Sequence, residues 1–175
     1  MQAWMIIVWI LVVIVIIYLA GFFYLLINIS NFKNSMEKRV VGLSFIFAEK
    51  KDILLSLYTL YDKASVPLDD SDNDAAAKVR WLKTDVMKDD DVETINETLN
   101  ALQRRLTLLA ESQSYIKKSN DFVNYVSALK DLDANYHRIV ALYNNDLVGY
   151  NYWRRVVIYR FLWDMFGFKD KKRLS

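Results

Sequence analysis

The chain has no cysteine, one proline, four glycines and a single histidine among 175 residues. Without cysteine there can be no disulfide and no thiolate metal site. One histidine cannot build a His-rich metal centre. Nor can His137 serve a helical carboxylate site of the Glu-x-x-His kind, because Ala134 stands three positions before it. No Gly-rich phosphate loop and no Gly-flanked serine occurs, so the chemistry points away from an enzyme. The scarcity of turn formers argues for long helices with few connections.

Charge is missing from one place above all. Ala3 to Ile29 runs twenty-seven residues without a charged side chain. A helix needs about 20 apolar residues to cross the hydrocarbon of a bilayer. In lipid only a helix satisfies every backbone N–H and C=O within one segment. Trp4 and Trp9 lie near one end of the run and Tyr18, Phe22, Phe23 and Tyr24 near the other, as interfacial aromatic belts would. No basic stretch precedes it, and it exceeds the apolar block of a cleaved signal, so a retained anchor is expected. No Lys or Arg lies ahead of the run, while Lys33, Lys38 and Arg39 follow it closely. The positive-inside tendency then puts the N-terminus outside and the following domain in the cytoplasm.

What is present after the run is helical periodicity. Met36, Val40, Leu43, Phe47, Leu54, Leu57 and Tyr61 form a 4-3 stripe broken only by Lys50, whose stem is expected along the seam with its ammonium in water. No breaker separates this stripe from the anchor, which predicts one continuous rod. Ala64 to Asp74 reads as a loop holding Pro67. Its Asp70, Asp72 and Asp74 imitate the start of a calcium loop, but Ala75 replaces the required glycine and Trp81 the required glutamate. Asp74 is expected to cap a short helix over Ala75 to Lys88 with Val79, Leu82 and Val86 inward. A third helix carries Val92, Ile95, Leu99, Leu102, Leu106, Leu109 and Ile116, interrupted only by Gln113. Arg104 and Arg105 flank that seam.

Ser119 or Asn120 is expected to cap a last and longest helix bearing Phe122, Tyr125, Leu129, Leu132, Tyr136, Ile139, Tyr143, Asp146, Tyr150, Trp153 and Val157. On it Tyr136, Tyr143 and Tyr150 recur every seven residues, and His137, Asn144 and Asn151 recur beside them. Buried hydroxyls and amides need partners, so this row is expected to fix helix register or contact a partner. Lys50, Gln113 and Asp146 on apolar seams hint at wet contacts in a homo-oligomer or with another membrane protein.

The C-terminal stretch is apolar or aromatic from Val156 to Phe168 and then basic. From Arg154 onward seven basic residues face two acidic ones, a local +5 within an overall +2. Nucleic-acid binding by the body is therefore not expected. Arg154, Arg155, Trp163, Phe166, Phe168, Lys171, Lys172 and Arg173 have the composition of a tail lying on a membrane surface. The competing reading has Trp153, Phe161 and Trp163 capping the bundle core.

Tyr143-Asn144 and Tyr150-Asn151, spaced by five residues, resemble the YN-x5-YN signature of the LemA family. Glu111 to Val123 is similar to that family's junction between third and fourth helices. Lys50-Lys51-Asp52-Ile53-Leu54 is similar to its first-helix element, with Leu55 in place of the proline, and Gly167-Phe168 sits where it often has Gly-Phe. The resemblance implies a bacterial cell-envelope setting, one inner-membrane span and a cytoplasmic helical bundle. The expectation is thus an all-α chain: an anchor over 1–29, an antiparallel up-and-down bundle of four helices over 30–155, the second short, and a tail over 156–175. It would act as a scaffold without cofactor or catalysis, with a ligand- or lipid-binding sensor as the other reading.

Overall fold

The structure is a computed structural model describing residues 2–84, 87–156 and 159–175. Among these residues every regular element is helical: α1 (Gln2–Lys63), α2 (Asp70–Trp81), a 3-10 turn (Asp89–Asp91), α3 (Val92–Ser112), α4 (Ser114–Lys117), α5 (Asn120–Arg154) and α6 (Arg160–Met165). Val86 and Val157, expected inward, lie outside the described residues, as does the side chain of Phe161.

Helix α1 carries the apolar run into the Met36–Tyr61 stripe without a break, as the absence of proline predicts. It is long and apolar enough to cross a membrane, and its most apolar stretch is uncovered by protein. It ends in a left-handed cap at Ser65 (φ 54°), where Ser65 N–H donates to Asp62 O and Val66 N–H to Tyr61 O. Pro67 then prevents any continuation.

The second helix starts earlier than its apolar spacing suggests. Asp69, not Asp74, is the cap: its carboxylate accepts from Asp72 N–H at 2.7 Å, and Asp72 accepts in return from Asp69 N–H at 3.2 Å. The acidic stretch expected as loop is therefore the first turn, where the helix dipole favours negative charge. Arg105 of α3 adds a bond to Ser71 and an ion pair to Asp72 at 3.3 Å. The helix stops at Trp81, and Leu82 is extended rather than an inward helical position.

The Ser71 hydroxyl and the Asp72 N–H hold the Asp69 carboxyl below the ordinary aspartate range. A depressed folded-state pKa means this contribution is complete above the unfolded value and is lost as pH falls through the folded one. Asp69→Ala should therefore flatten the fall in stability below about pH 4. Urea midpoints across that range read the effect, and parallel acid limbs in wild type and variant would refute it.

Helix α3 buries Val92, Ile95, Leu99, Leu102 and Leu106 as the spacing predicts. It does not reach Ile116. Gln113 breaks the helix, and the buried Ile116 belongs to the separate turn α4. Helix α5 starts where Ser119 Oγ accepts from Phe122 N–H at 3.2 Å. It is neither last nor longest, since α6 follows it and α1 is longer.

The chain forms two compact units. In the unit of residues 38–143 with 174–175, Tyr61 donates to Leu106 O at 2.8 Å and Lys50 reaches Asn100, so α3 ascends alongside α1. Helix α5 descends: the Tyr136 ring faces Phe47 at 5.7 Å, and Ile139 lies over Gly42.

In the unit of residues 1–37 with 144–173, the last turns of α5 and the tail lie along α1. Ser35 donates to Asp146 at 2.7 Å, and the Phe32 ring occupies the space a Cβ on Gly149 would need. At the end of α6, Gly167 turns left-handed (φ 75°), letting Phe168 N–H return to Trp163 O at 2.9 Å and bringing their rings to 5.8 Å. A glycine meets this conformation without strain.

Candidate binding site

The tyrosine row of α5 lies inward, and each hydroxyl holds a segment outside the long helices. Tyr136 donates to Ser175 O at 2.7 Å, Tyr143 to the Asp89 carboxylate at 2.9 Å and Tyr150 to Lys169 O at 2.8 Å. Burial, reinforced by the Glu93 charge, pushes the Tyr136 phenol up, so it stays a donor. The neighbouring polar residues fall in different surroundings. Asn144 is half-buried, Asn151 borders a cavity with Arg154, Arg155 and Asp170, and His137 is exposed with its ring edge-on to Tyr136 at 5.4 Å.

The tail residues separate into two sets. Trp163 and Phe168 are buried: Trp163 stacks on Phe22 at 5.6 Å, and Lys33 lies over the Phe168 ring. Tyr159 donates to Tyr18 O at 3.0 Å. Arg154 closes the fold, donating to Phe168 O at 2.8 Å and pairing with Asp164 at 3.0 Å and with Asp170. These side chains therefore face protein, where the amphipathic reading of the tail had them facing lipid. Arg155, Phe166, Lys172 and Arg173 remain exposed, and Lys171 is half-buried.

The residue that spacing misjudged most is Lys50. Its side chain is 2 % exposed, and its ammonium is inside rather than in water. It donates to Asp133 Oδ1 at 2.6 Å and to Asn100 Oδ1 at 2.7 Å. The second Asp133 oxygen accepts from Gln103 Nε2 at 3.0 Å. Gln103 Oε1 is itself buried and has no hydrogen-bond partner among the described residues. Three helices thus contribute to one polar cluster. A buried charge needs such company, since desolvating it alone is costly.

Above the cluster a cleft of about 570 Å³ opens between α3 and α5. Asn100, Gln103 and Asp133 line it together with Arg104, Leu108 and His137. That volume lies in the range of small-ligand pockets. The only sequence sign of the cluster is that Lys50 breaks an apolar stripe. Among the described residues no group of three or more His, Asp or Glu side chains is close enough to hold a metal ion. Comparison with protein-family models, with curated proteins and with solved structures finds no match.

Proposed function

We propose that this is a single-pass membrane protein whose helical domain works as a scaffold, by contact rather than by catalysis. The observation that carries the reading is α1 itself, one helix that leaves an uncovered apolar stretch and becomes the first leg of a folded domain. The domain is read as an antiparallel up-and-down bundle of four legs, with α2 the short one. The YN-x5-YN resemblance supports a LemA-like protein of a bacterial inner membrane, N-terminus outside and domain in the cytoplasm. Internal uses for the polar groups support contact rather than chemistry: the tyrosine hydroxyls, Asp133 and Arg154 all hold the chain's own segments. A second reading, a sensor for a small ligand, is favoured by the cleft over Gln103.

The natural absence of cysteine gives a clean test, because one introduced thiol is the only one. Asp52 is exposed on α1, and Asp52→Cys in the full-length protein should react with a membrane-impermeant maleimide only after cells are opened. A cysteine-reactive cross-linker applied to opened membranes should then trap a discrete adduct. Labelling in intact cells would defeat the orientation, and full-length protein in the aqueous supernatant would defeat the anchor.

A further inference from the structure

Two arginines stand side by side at the end of α5, and the fold uses only one of them. Arg154 is spent on Phe168 O, Asp164 and Asp170. Arg155 is exposed, and its guanidinium has no ion pair or hydrogen bond among the described residues. Val148, Tyr152 and Arg155 follow one another at intervals of four and three residues, hence on one helix face, and with Val156 they line a groove of about 530 Å³. Val148 and Tyr152 are largely exposed, and the Tyr152 hydroxyl is likewise without a partner among the described residues.

Height decides what covers this face. The Trp153 ring meets Tyr24 at 6.1 Å, and Tyr159 reaches Tyr18 O at 3.0 Å. Arg155 lies between these two contacts in the chain, and the exposed apolar stretch of α1 ends between them too, at Ala20. The groove therefore stands where a bilayer crossed by α1 passes from acyl chains to headgroups, the layer in which aromatic rings and basic side chains collect. Phe166 is held at the same level, its ring 5.8 Å from Phe22, and both it and Met165 turn large apolar surface outward.

We propose that this face binds an anionic phospholipid of the adjoining leaflet. The Arg155 guanidinium takes the phosphate, a charge-assisted contact, and the Tyr152 hydroxyl donates to a further oxygen. The acyl chains run past Val156, while Met165 and Phe166 enter the chain layer beside them. From Arg154 onward seven basic residues face two acidic ones, which favours a lipid of net negative charge over a zwitterionic one. The inference rests on reading α1 as the membrane span and adds to it a site that selects among lipids.

The test uses the full-length protein, first in detergent micelles doped with phosphatidylglycerol or phosphatidylcholine and weighed by native mass spectrometry. Phosphatidylglycerol should be held about fivefold or more tighter, the effect of one basic side chain at an anionic surface. Arg155→Gln should erase most of that preference with circular dichroism unchanged. Lys172→Gln, at another exposed base of the tail, should keep it within about twofold. Depth is read separately, since Met165→Cys introduces the only thiol. A nitrobenzoxadiazole label there, in nanodiscs, should be quenched by lipid with a nitroxide high on its acyl chain, and the same label on Asp52→Cys should not. Equal retention of the two lipids, equal losses in Arg155→Gln and Lys172→Gln, or an unquenched label at position 165 would overturn the proposal. With normal reconstitution these results would remove the lipid site alone, whereas protein left in the aqueous supernatant would remove the span itself.

Discussion

Asp133→Ala should cost about 3 kcal/mol of folding stability, while Lys50→Met should change it by about 1 kcal/mol or less. The two substitutions break the same 2.6 Å ion pair, but they leave different things behind. Without Asp133, the Lys50 ammonium stays 2 % exposed with only the Asn100 carbonyl to face. Without Lys50, Asp133 is already 36 % exposed and keeps Gln103 as a donor, so it relaxes toward water. Methionine also retains most of the buried stem. Hydrogen exchange of the α3 and α5 amides in the full-length protein measures both variants in the unit concerned. Equal losses would show that Lys50 does not depend on Asp133.

The second large effect is expected at Trp163. Its side chain is fully buried against Phe22, Tyr159 and Phe168. Truncation to alanine should remove about 3 to 5 kcal/mol, the usual cost of deleting a buried large aromatic. That exceeds what Arg154 can hold with partners that are largely exposed, so the tail should detach. Trypsin should then cut at Lys169 to Arg173 far sooner than in the wild type. Trp163→Phe should be much milder. It keeps a ring on Phe22 and removes an indole N–H that is buried without a hydrogen-bond partner among the described residues. An alanine variant with wild-type cleavage would mean that the ring cluster does not hold the tail.

How much of this could be read from the residues depended on whether the cause was local. Helical stripes repeat every three or four positions, so the buried faces of α1, α3 and α5 were legible. So were the unbroken passage out of the apolar run and the Ser119 cap. The start of α2 was misread because a dense acidic stretch resembles solvated loop. Asp69 and Asp72 cap each other three residues apart, a signal present in the sequence but outweighed by apolar spacing. Of the Lys50 cluster only the break in the apolar stripe was visible: Asn100 and Asp133 stand 50 and 83 residues away, and nothing local pairs them. The tail was ambiguous for another reason. Aromatic and basic residues suit a lipid surface and a protein seam equally, and only Gly167 hinted at the turn that folds Phe168 onto Trp163.

That seam has a mechanical consequence. Along α1 the residues from Trp4 to Ala20 are exposed, with Tyr18 the first that the tail touches, through Tyr159, and closer cover begins at Gly21. Those seventeen residues reach about 25 Å, somewhat short of a hydrocarbon layer about 30 Å thick. In the orientation proposed above, a smooth greasy cylinder would have nothing to stop it sliding along its own axis. Here the folded-back tail thickens it at one height. Pushing it deeper would drag Arg154, Asp164 and Asp170 into oil. In that orientation the chain would carry its own waterline, set by rings clasped around the shaft.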